Sequence, residues 1–196
     1  MRIQISRGNE LEVVLPRGYQ LKDAEDFIIK RRDWIKKHLK KTAVEPEYLF
    51  LGKQLQVKEY YHLFIKKHKI TLKGDVLEII SPEKSDVAVP ELYDAWLRFS
   101  AKKHLIFRAR QLASEYGFDV NKISVRGQKT RWGSCSSGSN LSFNYRLMRY
   151  RHAVIDYVIT HELCHLKEMN HSVKFWKLVG SYCPDYKKLR KELKGR

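Results

Sequence analysis

The sequence has no run of eighteen apolar residues and no apolar segment behind its first basic residues. The first absence excludes a membrane-spanning helix. The second argues against a secretory signal, since "MRIQISRGNELEV" alternates as a strand does. Cysteine is scarce: Cys135, Cys164 and Cys183 are odd in number and irregular in spacing. That excludes a disulfide framework and makes a reducing, cytoplasmic location the expectation. There is no repeat, no low-complexity tract and no flexible linker. A Gly-rich phosphate loop and a paired-carboxylate Mg²⁺ site are missing, as are zinc-knuckle, RRM and helix-turn-helix signatures. Acidic residues are absent from Val120 to Ile155, a window that carries Lys122, Arg126, Lys129, Arg131, Arg146, Arg149 and Arg151.

Against these absences stands ample material for a core. The chain has 196 residues, 43% of them hydrophobic, with eight Phe, four Trp and eleven Tyr. Wholesale disorder is excluded on that composition. The net charge is +17. Scattered lysines make a solvated surface, but a one-sign window attracts anions, so nucleic acid or another polyanion is a candidate partner.

"RIQISRGNELEVVLP" reads as a hairpin turning at Gly8-Asn9. Leu21 to Leu39 has helical spacing. "FLGKQLQVKEYYHLF" and "KITLKGDVLEIIS" read as short strands with turns at Gly52 and Gly74-Asp75. Pro90 suits a helix start, and Leu92, Trp96, Phe99, Ile106, Ala109 and Ala113 carry that helix to a C-cap at Gly117. Ile123 to Arg126 suits a strand. Leu141, Phe143 and Tyr145 alternate with Ser142, Asn144 and Arg146, as in a strand with one polar face. "HAVIDYVITHELCHL" is apolar nearly all round and should be a buried helix. The fold class expected is α+β, with a mainly β part over 1–89 that includes one helix, and a mainly helical part over 90–196.

The chemistry concentrates in "THELCHLKEMNH", Thr160 to His171. His161 and His165 are four apart, so on a helix they share one face and converge on one tetrahedral zinc. Glu162 is offset from that stripe, where it reaches a metal-bound water without ligating. A catalytic site needs a third ligand. His171 lies six residues beyond His165, roughly 240° around a continuous helix, and would face away. The helix must therefore end between them. Asn170 tolerates a left-handed C-cap and Ser172 is a good N-cap for "VKFWKLVGSY". Three histidines and one open position make a catalytic arrangement. Glu168 competes with His171 as third ligand, and Cys164 is either a ligand or a small core residue.

Together, "KTRWGSCSSGSNLSFNYRLM", "VIDYVITHELCHLKEMNHSVKFW" and "PDYKK" make the chain resemble the YgjP-like metallopeptidases, a zincin group related to SprT-like and WLM proteases. The resemblance is close from Lys129 to Lys188. It implies a zincin-like domain, with His161, His165 and His171 on zinc and Glu162 as base, in agreement with the geometry above. It also implies a hydrolase of poorly defined substrate, and it makes "NLSFNYRL" the edge strand onto which an extended peptide docks. In "TRWGSC", Trp132 is expected to anchor the core and Gly133 to bend the chain. Arg131 has three open roles: binding a substrate carboxylate or phosphate, bracing an oxyanion, or pairing with a buried acid such as Asp156. The electrophilic helper is Arg131, Tyr145 or Tyr150.

The function expected is zinc-dependent hydrolysis of peptide or protein substrates, through a metal-bound water activated by Glu162. The alternatives are a metal-dependent nucleotide or phosphoanhydride hydrolase, a nucleic-acid-associated protease, and a structural zinc domain. A non-ligating Glu162 in the catalytic place argues against the last.

Overall fold

A computed structural model describes residues 2–5, 11–33, 35, 47–83 and 85–194. It divides into two compact units, 1–46 and 47–196.

In the first unit β1 (Arg2–Ile5) and β2 (Leu11–Val14) pair antiparallel, Ile5 opposite Leu11. That is the expected hairpin; its turn at Gly8-Asn9 lies outside the described residues. Helix α1 covers Leu21–Lys30. The Gln20 N–H donates to the Asp23 carboxylate at 2.7 Å, satisfying a backbone donor at the helix start. The helical spacing expected on to Leu39 runs outside the described residues.

The second unit starts with a small hairpin, β3 (Leu49–Phe50) and β4 (Lys53–Gln54), turning through Leu51 and Gly52, both at positive φ. A Cβ on Gly52 would lie 2.9 Å from Arg151 Cβ. Glycine is therefore needed here both for its conformation and for close approach. Strands β5 (Gln56–His62), β6 (Lys69–Lys73) and β7 (Val76–Pro82) form a sheet in the order β5-β7-β6. The central strand buries Leu77, Ile79 and Ser81 on alternate positions. Leu77 and Ile79 belong to the same core cluster as the helices that follow, so the compact unit runs through residue 89, where composition changes, without a break.

Helix α2 (Val89–Tyr116) starts with Pro90 in its first turn and ends at Gly117, at φ 69°. Its buried stripe is Tyr93, Leu97, Ala101, Leu105 and Ala109. Leu92, Ala109 and Ala113 of the expected stripe are buried, but Phe99 is 74% exposed. The sequence pattern admitted the large Phe99 and passed over Ala101, which is fully buried and small enough to let the helix approach its neighbours.

A mixed sheet then positions the site. Its order is β8-β10-β9, where β8 is Lys122–Arg126, β9 Gly133–Cys135 and β10 Asn140–Asn144. β10 runs parallel to β8 and antiparallel to β9. β10 is therefore the central strand and not an edge, and it has no solvated polar face. Ser142 and Asn144 are buried beside Leu141 and Phe143. The alternating pattern misled because Asn144 is polar for an internal purpose, described below. Tyr145 begins a 3-10 turn, Tyr145–Arg149. Helices α3 (His152–Cys164), α4 (Val173–Tyr182) and α5 (Tyr186–Lys194) complete an α+β domain, the class expected for a zincin-like metallopeptidase. α3 is the core helix: Val154, Ile155, Ile159, Leu163 and Cys164 are fully buried.

Candidate metal centre

The apolar run of α3 drives the helix inward on several sides, and its last turn carries His161, Glu162 and His165 at the end of that buried column. The α-helix stops at Cys164, with His165 as its cap in helical geometry. That is earlier than expected, and Asn170 is not left-handed: among the described non-glycine residues only Leu51 and Ser139 have positive φ. Asn170 acts through its side chain instead, its Oδ1 accepting from Ser172 N–H at 3.2 Å. Ser172 then caps α4 as expected, accepting from Phe175 N–H at 3.3 Å. This pair of turns brings His171 back to the face of His161 and His165.

The ligand-capable atoms of His161, His165 and His171 all lie within 4.8 Å of one another. His161 Nε2 and His171 Nε2 are 3.0 Å apart. His165 Nδ1–H donates to the Glu168 carbonyl at 3.0 Å, which leaves the lone pair on Nε2. Glu168 thus meets the triad through its backbone rather than its carboxylate. Burial, and then the charges of His165 and His171, push His161 down to about 3. Burial also lowers His165. Both rings are therefore neutral at ordinary pH and keep lone pairs free. Phe175, fully buried, floors the triad, 4.4 Å from His165, 4.9 Å from His161 and 4.8 Å from His171 between ring centroids. Three imidazoles converging from the end of α3 and the turn before α4, with His171 exposed on one side, are a donor set that fits a metal ion with an open position.

Glu162 is 6% exposed. Burial pushes its carboxyl up to about 7, against the opposing pull of Arg131. A proton acceptor poised there suits base chemistry at neutral pH. Gly133, at the start of β9, lies directly against it: a Cβ would sit 2.6 Å from Glu162 Cγ and Oε1. The role of this glycine is close approach to the carboxylate rather than a bend. The segment is held by Asn144, whose Nδ2 donates to the Gln128 carbonyl at 2.7 Å and the Arg131 carbonyl at 3.0 Å. Asn144 N–H also donates to the Trp132 carbonyl at 2.8 Å. Asn144 is thus the buried polar residue that fixes one wall of the site, and its place in "SFNYR" gave no sign of it.

A cavity of about 480 Å³ opens over these groups, lined by His161, Glu162, His171, Trp132, Gly133 and Trp176 among others. Trp132 does face the core edge, packing edge-on against Tyr150 at 5.3 Å, yet it also lines the cavity. β9 is the edge strand beside the cavity; β10 is covered on both sides.

Other residues singled out in the sequence fall elsewhere. Asp156 is taken by Arg108, with both contacts at 2.8 Å, so it does not pair with Arg131. Arg131 is exposed and acts on Glu162 through its charge. The Tyr145 hydroxyl donates to Asp94 at 2.6 Å and accepts from Arg98, which removes it as helper. Cys164 is fully buried, its thiol pushed up to about 12 by burial, and it is a core residue. The basic window is partly consumed locally: Arg146 lies over Tyr145, Arg149 over Tyr93, and Arg151 pairs with Glu192 at 2.8 Å. No described helix is long and apolar enough to cross a membrane.

Three comparisons bear on this site. The family model for the YgjP-like metallopeptidase domain matches residues 1–196. No curated protein matches the chain. Among solved structures it is similar to the metallopeptidase zymogen abylysin of Pyrococcus abyssi, at 19% identity over 45% of this chain and 90% of that one, TM-score 0.42. It is also similar to the metallopeptidase zymogen jannalysin of Methanocaldococcus jannaschii, at 22% identity over 47% of this chain and 99% of that one, TM-score 0.40.

Proposed function

The chain belongs to the YgjP-like family of metallopeptidase domains, and from that premise we propose that it is a zinc-dependent peptidase with His161, His165 and His171 as ligands and Glu162 as general base. The observation that carries the reading is the convergence of three imidazoles, two of them lining an open cavity together with a buried carboxylate. Zinc suits an all-imidazole set with one open position, where it would polarise a carbonyl and make a water acidic.

The remaining work belongs to the chain. The outer edge of β9, paired with no further strand among the described residues, offers N–H and C=O groups to an extended peptide and aligns it across the cavity. Glu162 takes the proton of the attacking water at a carboxylate oxygen, holds it in a buried setting, and returns it to the leaving amine. Arg131, a charge beside that carboxylate, favours its ionised form before attack. Trp132 and Trp176 wall the cavity and limit competing water.

The test compares wild type, Glu162→Gln and His165→Ala for metal content and for hydrolysis of casein and of nucleoside triphosphates. Wild type should carry one zinc and cleave casein. Glu162→Gln should keep zinc and lose about 10²–10⁴-fold in rate. His165→Ala should lose most of the metal, because two imidazoles hold it poorly. Turnover of triphosphates alone, or casein cleavage undiminished in metal-loaded Glu162→Gln, overturns the proposal.

A further inference from the structure

The cavity over Glu162 has a second wall of different chemistry. Arg190 and Lys194, one turn apart on α5, line it together with Trp132, Trp176 and Leu193. The Arg190 guanidinium carbon lies 4.7 Å from the centroid of the Trp176 ring. That indole is itself stacked on Tyr186 at 5.4 Å and on His171 at 5.6 Å. The cation is thus held by a ring that touches the ligand triad.

No ion pair among the described residues involves Arg190 or Lys194. The acid of α5, Glu192, is engaged with Arg151. Glu162, the carboxylate of the cavity lining, is buried against Gly133. Two cations therefore line the cavity without an acidic partner among the described residues, beside indole walls of low dielectric that strengthen their field.

We propose that Arg190, assisted by Lys194, selects the substrate by receiving a carboxylate carried beside the scissile peptide bond. A guanidinium laid on an indole is already oriented, so its planar fork meets a carboxylate with little further loss of side-chain freedom. The carboxylate is either an acidic side chain or the free C-terminus of a short peptide. The inference rests on the peptidase reading above, and its test separates the two.

Peptides with a neutral fluorophore are made with Glu, Gln or Lys flanking the central bond, each with an amidated and a free C-terminus. Binding is followed by fluorescence anisotropy on full-length Glu162→Gln protein, with and without Arg190→Glu or Arg190→Lys. Turnover of the same peptides is measured in the Glu162 background. The Glu peptide should bind roughly tenfold more tightly than its Gln counterpart, a gain that shrinks with salt. Arg190→Glu should invert the order in favour of Lys, and Arg190→Lys should fall between, with zinc content unchanged throughout. A preference present in both terminal forms assigns the side chain; one confined to free termini assigns the C-terminal carboxylate. Equal binding of the three peptides to wild-type Arg190, or an acid preference untouched by Arg190→Glu, overturns the inference even where peptides are cleaved. If no peptide is cleaved while the preference exists and inverts, the peptidase reading falls and Arg190 stands as a carboxylate receptor.

Discussion

Replacing Gly133 by alanine would test whether β9 sets the position of Glu162, the proposed base. The added Cβ would lie 2.6 Å from Glu162 Cγ and Oε1 and 2.8 Å from Cδ. Non-bonded carbons settle at about 3.5–4.0 Å, so the carboxylate must retreat by about 1 Å. Gly133 is not at positive φ and lies in a strand, so alanine adds no backbone strain. The perturbation therefore falls on the side chain of Glu162. A shift of that size at a reacting group costs about 10²-fold. The expected outcome is a loss of about 10² in kcat/KM on a casein-derived peptide. Zinc content by mass spectrometry should stay at one per chain, because β9 supplies no ligand. The thermal midpoint should fall by only a few degrees, since the close contacts are all with one side chain. Wild-type kcat/KM with full metal would refute the reasoning. So would loss of metal together with activity, since the strain would then have spread to the triad.

Two further outcomes follow from the same geometry. Phe175→Leu keeps an apolar floor but removes the ring that packs against all three imidazoles. Zinc affinity should drop by roughly tenfold or more in a competition titration, with helix content by circular dichroism retained; unchanged affinity would show that the ring does not orient the ligands. Asp94 concerns stability and pH. Burial raises its carboxyl, but the hydrogen bonds from Tyr145 and Arg98 and the charges of Arg98 and Arg146 outweigh it, and the net shift is downward. A depressed acid stabilises above its unfolded value, here 3.8, and loses that contribution as pH falls through the lower folded value. Asp94→Asn should therefore lower the urea midpoint by a constant amount from pH 7 to about 5, and the gap should close in strong acid. A gap that persists at pH 2 counts against an ionised Asp94 in this role.

The site was legible where its chemistry is local. His161, Glu162 and His165 share one helix, and Ser172 is a cap whose partner lies three residues on, so spacing alone places them. The turn between them was legible in outcome but not in detail, because Asn170 can serve either through its backbone or through its side chain, and only the hydrogen bond to Ser172 decides. What spacing cannot show is contact between distant segments. Gly133 reads as a bend until Glu162 is seen against it, and Asn144 reads as the polar side of an edge strand until its carbonyl partners at 128 and 131 are in place. The α2 stripe failed at Phe99 for a related reason. Phe99 is apolar enough to join any helical pattern, but burial is decided by which face the alanines allow to come close. Arg190 gave no signal in a helix rich in lysine; its stacking on Trp176 is what distinguishes it.

The close approach of β9 to Glu162 carries a consequence for how such a site can change. The three imidazoles come from eleven consecutive positions, whereas the surface that dehydrates the carboxylate comes from a strand some thirty residues earlier. On the function proposed above, metal affinity and basicity are thus encoded in different parts of the chain. Substitutions in residues 131–135 can retune the proton affinity of Glu162 while leaving the ligands in place. The stretch 152–182, grafted onto a foreign scaffold without that strand, would carry metal-binding capacity but a carboxyl returned toward its ordinary range. On that reading, acquiring a metal and acquiring a base are two separable inheritances.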